Sequence, residues 1–76
     1  MRSLEGYTMD ERREAINQVI FSKRDRLVLE LRLLDGLSYS EISAVSDVGV
    51  EVRQVGKILN RGCEKIGDYL ECRNRT

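Results

Sequence analysis

Four cations follow one another at strict four-residue spacing late in the chain: Arg53, Lys57, Arg61 and Lys65. On a helix each such step advances the wheel by only about 40°, so the four make one stripe. Gln54 and Asn60 flank it, and Glu64 falls inside it. Val52, Val55, Leu59, Gly62 and Ile66 occupy a second arc, less than about 90° wide and nearly opposite. A helix of this pattern buries one side and presents guanidinium, ammonium and amide groups on the other. Such groups suit DNA, because the arginine fork matches phosphate and guanine while Gln or Asn pairs with adenine. The segment 51–66 is therefore the candidate DNA-reading element. A merely solvated helix face carries the same residue types, since long basic side chains commonly cover exposed surface.

Other chemistry finds little support. With no histidine, no glycine-rich phosphate loop and no paired carboxylates, the chain reads as a non-enzyme with no small-molecule substrate. Cys63 and Cys72, without histidine, do not complete a zinc site within one chain. They read as two free thiols, so neither metal nor cofactor is expected. Net charge argues against nucleic acid: 13 basic residues balance 13 acidic ones, whereas DNA-binding domains draw affinity from an excess of cations. Only a segregated pattern of charge reconciles the two. No apolar run approaches the roughly 18 residues of a membrane span, and the opening MRSLEGYTMDER does not resemble a signal peptide. A cytoplasmic protein with no membrane contact is the expectation.

The elements that must hold the stripe are marked by helix punctuation. A chain of 76 residues supports one domain with a thin core. Capping-box patterns begin at Thr8, Ser22 and Ser38, each with an acidic residue three positions on. The middle one carries Asp25, a weaker choice than Glu or Gln. They predict a helix over about 9–20 with Met9, Ile16, Val19 and Ile20 on one side. A second, over about 23–35, carries Leu27, Val28, Leu31 and Leu34 and ends at a left-handed Gly36. A third covers 39–46 with Ile42 and Val45 inward, the turn is Asp47-Val48-Gly49-Val50, and the last helix continues to about 70. The fold class is all-α, a helix-turn-helix domain of four to five helices without a wing. Its parts are a segment 1–21 that completes the core or forms a dimer seam, a domain 22–70, and a frayed tail 71–76. In a helix-turn-helix the first helix crosses the DNA backbone, so the open amides and hydroxyls of Ser38, Tyr39 and Ser40 are candidate phosphate contacts. Simple capping by Ser38 and packing by Tyr39 are the plainer readings.

The stretch Ser22-Lys-Arg-Asp-Arg-Leu-Val-Leu-Glu-Leu-Arg-Leu-Leu-Asp-Gly-Leu-Ser-Tyr-Ser-Glu-Ile-Ser resembles region 4 of bacterial sigma factors, most closely at Gly36-Leu37-Ser38-Tyr39 and Glu41-Ile42. Val55, Leu59, Arg61 and Ile66 fit that family's final helix. The resemblance implies a helix-turn-helix that reads promoter DNA through its last helix and meets RNA polymerase through other faces. The turn is about two residues longer than the family's. Gln54-Val55-Gly56-Lys57-Ile58 stands where the family tends to show Thr-Val-Lys-Ser-Arg. A sigma factor also needs a promoter-opening region, so the expectation is a region-4-like module standing alone, of bacterial or phage origin. Two functions follow. The first is a small sequence-specific DNA-binding transcriptional regulator with its last helix in the major groove of double-stranded DNA, acting as a homodimer. The alternative is a protein-interaction module that mimics region 4 and binds RNA polymerase or a sigma or anti-sigma partner without reading DNA. Neutral charge, Gly56 and Ile58 favour the second.

Overall fold

The computed structural model describes residues 4–74, with Asn74 in its backbone only. Four helices follow in order, α1 Met9–Val19, α2 Lys23–Leu33, α3 Tyr39–Ala44 and α4 Val52–Asn74, and the described residues contain no strand. The all-α class is as the pattern predicts.

Local chemistry explains where the first three helices begin. Thr8 Oγ1 accepts the Glu11 amide at 3.1 Å while the Thr8 amide donates to Glu11 Oε1 at 2.9 Å. Ser38 and Glu41 repeat that exchange at 3.2 and 2.9 Å. The box at Ser22 is only half formed, with the Asp25 amide 3.4 Å from Ser22 Oγ. Asp is one methylene shorter than the Glu a reciprocal bond prefers, and its carboxylate instead lies 3.5 Å from Arg24 Nε. Gly36 takes φ +73° after α2 and Gly49 φ +63° in the turn before α4, a region that residues with a Cβ avoid.

Helix C-termini leave carbonyls without partners, and three arginines supply donors across the fold. Arg12 donates to the Tyr7 carbonyl at 3.2 and 2.9 Å and to the Leu33 carbonyl at 2.9 Å. Arg26 donates to the carbonyls of Ile20 and Asn17, closing an α1 that has no basic residue in its last turn. Arg32 reaches the Leu37 carbonyl at 3.0 Å. Thus part of the chain's positive charge holds backbone.

The long α4 is a spine that the other helices meet in reverse order along its length. Tyr39 of α3 lies against Gly56, Leu29 of α2 against Gly62, and Glu14 of α1 binds Arg73. Consequently the buried arc of α4 rotates along the helix. Ile58 is only 2% exposed, whereas Val52, expected inside, is 45% exposed because it precedes the stretch the other helices cover. Met9 likewise lies outside its expected core position, at 55% exposure on the first turn of α1. Leu29 is fully buried although it falls off the expected α2 stripe, of which Val28 is buried and Leu27 and Leu31 pack partly against the core. Leu34 is half-buried. Ala15, Ile16 and Ile20 are buried in the same cluster as Leu59, Ile66 and Leu70, so α1 completes the core. Its hold on α4 also explains why residues 71–74 are helical instead of frayed; residues 75–76 of the expected tail, and 1–3 of the N-terminal segment, lie outside the described residues. Among the described residues no helix is long and apolar enough to cross a membrane.

The two thiols are free and differ in setting, Cys63 buried and Cys72 exposed. Burial pushes the Cys63 thiol above its ordinary value, and neighbouring Glu64 adds to the shift. Since the thiolate is the reactive form, a disulfide reagent such as Ellman's is expected to label one thiol per folded chain at once. Cys63 should follow only on unfolding. Rapid labelling of both in native buffer would contradict this packing.

Candidate nucleic-acid interface

The spine that anchors the core also builds the candidate surface. Val55, Ile58, Leu59 and Cys63 are buried on one side of α4, while Arg53, Gln54, Lys57, Asn60, Arg61 and Lys65 are all exposed. All six sequence-derived α4 residues therefore lie on the exposed side of one well-anchored helix. Ile58, counted with the groove residues from sequence, belongs to the core instead. Gly56 faces the ring of Tyr39, where an added Cβ would stand 3.6 Å from Cε2, an ordinary packing distance.

Charge along this face changes sign. Residues 53–61 contain no acid, and the positive end of the α4 dipole adds to Arg53 and Lys57. Past Arg61, Glu64, Asp68 and Glu71 enter the same arc of the wheel, and all three are exposed. The stripe is therefore effectively positive only over its N-terminal half. Lys65 stands among acids.

The joint between α3 and α4 is fastened. Ser43 Oγ donates to the Val50 carbonyl at 2.7 Å, the Val48 amide donates to the Val45 carbonyl at 3.0 Å, and Val48 is 2% exposed. Tyr39 is held between Gly56 and the Arg32 guanidinium, which sits 5.3 Å from the ring centroid.

The three α3 candidates divide. Ser38 does not offer an open anion site, because its amide is already bonded to the Glu41 carboxylate and its hydroxyl to the Glu41 amide. An incoming phosphate would meet a carboxylate there. Tyr39 is half-buried in the packing just described, and Ser40 is exposed. Two cations outside the sequence-derived set, Lys23 and Arg24, are exposed at the start of α2 and share a shallow recess with Asp47 of the turn. Their adjacency in the sequence was the available signal. Only the three-dimensional approach of α2 to the turn gives it meaning.

The Ser38 box is also a titratable element. The Ser38 backbone N–H, aided by the side chain, holds the Glu41 carboxyl below its ordinary 4.5. A carboxyl lowered by folding contributes stability above its unfolded value and loses it as pH falls through the folded value. Glu41→Ala, which removes the titrating carboxylate itself, is therefore expected to lower the melting temperature near neutrality and to flatten the acid limb below about pH 4.5. An acid limb identical to that of the parent chain would show that the box contributes nothing to it.

Comparisons of the chain with protein-family models, with curated proteins and with solved structures each found no match.

Proposed function

We propose that this chain is a small sequence-specific DNA-binding transcriptional regulator. In this reading α3, the turn 45–51 and α4 form a helix-turn-helix, and the first turns of α4 enter the major groove. One observation carries it: over 53–61 the exposed face of α4 bears only cations and amides while its opposite face is fully buried. A reading helix needs both, because base edges are recognised only by side chains whose backbone is held in place. Arg53, Gln54 and Lys57 lie earliest in α4, where such helices meet base edges; Asn60 and Arg61 follow one turn on. The resemblance to sigma region 4 supports the same assignment of roles. Whole-chain neutrality is a weaker objection once charge is located, since the acids of α4 gather over 64–71, past the stretch 53–61 whose only charges are cations.

The alternative, a module that copies region 4 to bind RNA polymerase or a sigma or anti-sigma partner, drew on Gly56 and Ile58. Packing accounts for both residues, which leaves net charge as its main support.

A random-library selection on purified protein, followed by binding isotherms across a salt series, separates the two. The regulator should enrich a defined site and bind it with affinity that falls steeply as salt rises. No enrichment, with a flat salt response, would refute the DNA-reading function.

A further inference from the structure

We infer that Val52 reads thymine: its isopropyl group packs on the 5-methyl of one thymine in the major groove and so fixes one base pair of the site. The inference rests on the DNA-reading function above and adds a base to it. Arg53, Gln54 and Lys57 can supply hydrogen bonds there, but that methyl is recognised by an apolar contact.

Val52 is the first residue of α4 and is 45% exposed, the one large hydrophobic side chain that the fold leaves open on that helix among the described residues. The core makes no use of it. Cover begins one turn later, where Val55 is fully buried and the Tyr39 ring meets Gly56. Helix propensity does not account for it either, since valine is a poorer helix former than alanine, lysine or glutamate.

The whole first turn of α4 stands clear of the body. Residues 51–54 are all exposed, although successive positions step about 100° round the axis and so point to every side. Beside them the turn leaves an open recess lined by Ser43, Gly49, Val50, Glu51 and Gln54. Val52 lies off the basic stripe, about 100° from Arg53. A helix that enters the groove by its N-terminal end presents its entire first turn to the bases, so both side chains reach them. Glu51 sits at the same tip, its carbonyl accepting the Val55 amide at 3.0 Å. Its carboxylate is repelled by phosphate, so the tip meets base edges and leaves the backbone to the stripe.

The test uses the full chain and the duplex that the random-library selection enriches. Each thymine of that duplex is replaced in turn by deoxyuridine, which lacks only the 5-methyl. At one thymine the parent should lose about threefold to fivefold in affinity, the effect of one buried methyl group. Val52→Ala, which removes both γ-methyls, should bind the thymine and uracil duplexes alike. This variant should keep the parent's helical circular-dichroism spectrum, because the side chain is exposed and such changes spare the core. Its salt slope should also match, because no phosphate contact is lost. A site at which no deoxyuridine weakens binding overturns the inference. So does a loss that Val52→Ala leaves undiminished, for another group then reads the methyl. Both results leave DNA reading intact, whereas a selection that enriches no site removes that function first and this inference with it.

Discussion

Replacing Arg53, Lys57 and Arg61 together by alanine is expected to weaken binding to the selected DNA site about 100- to 1,000-fold. At roughly 1–1.4 kcal/mol for each base-edge or phosphate contact, near the low end of the range such contacts show, the three come to about 3–4 kcal/mol. The slope of log affinity against log salt should shrink by about 2–3, since each phosphate neutralised contributes about 0.9. Folding should be nearly untouched, because all three side chains are exposed and such surface changes stay within about 0.5 kcal/mol. Lys65→Ala is the internal control. With Glu64 and Asp68 on the same face, it should cost far less affinity than Lys57→Ala. If the triple variant binds as the parent does, with the same salt slope, the stripe is solvated surface and α4 reads nothing.

The second large effect concerns the contact that sets how closely α2 approaches α4. A Cβ placed on Gly62 would stand 2.5 Å from Leu29 Cδ1 and 2.8 Å from Cδ2, too close for any real pair, and Leu29 is fully buried. Gly62→Ala therefore gains about 1 kcal/mol of helix propensity but forces overpacking that costs about 1–3 kcal/mol. A net loss of up to about 2 kcal/mol is expected. Leu29→Ala alone should cost about 2–5 kcal/mol through the cavity it leaves. In the double variant the new methyl enters the space that leucine vacates, so the loss should fall short of the sum by about 1 kcal/mol or more. Gly56→Ala is the contrast, for the Tyr39 ring at 3.6 Å leaves room, and it should gain about 0.5–1 kcal/mol. Urea unfolding of the five proteins reads the cycle. Strict additivity would mean that the two side chains do not share this space.

These two sites show where sequence reading succeeds and where it stops. Thr8, Ser38 and Gly36 were legible because the interactions they make lie within a few residues, and spacing alone specifies them. The exposed set on α4 was legible for a similar reason, since one stripe of long basic side chains has one place to go. Val52 and Ile58 were misassigned because a helical wheel assumes one neighbour along the whole length. Here α3, α2 and α1 cover successive turns from different directions. Leu29 and Leu4 were missed on the same ground: their burial depends on elements distant in sequence. Arg12, Arg26 and Arg32 look like surface cations in the sequence, and nothing local says that their partners are the carbonyls of Tyr7, Ile20 and Leu37. The open amide expected at Ser38 failed for the opposite reason, because the box that made the helix visible already uses the group assigned to phosphate.

The order in which helices cover α4 has a consequence for how the molecule opens. The C-terminal turns are held by α1, through Leu70 in the core and the Arg73–Glu14 pair, while turns near Gly62 lie under α2. Detaching α1 uncovers the far end of the spine and leaves the α2–α3–α4 packing in place. Native-state hydrogen exchange should accordingly resolve two opening units. Amides over 55–63 exchange only when the whole chain unfolds, whereas those over 67–73 exchange at a lower free energy, together with α1. The surface proposed to face DNA would then belong to the last part of the molecule to lose its structure.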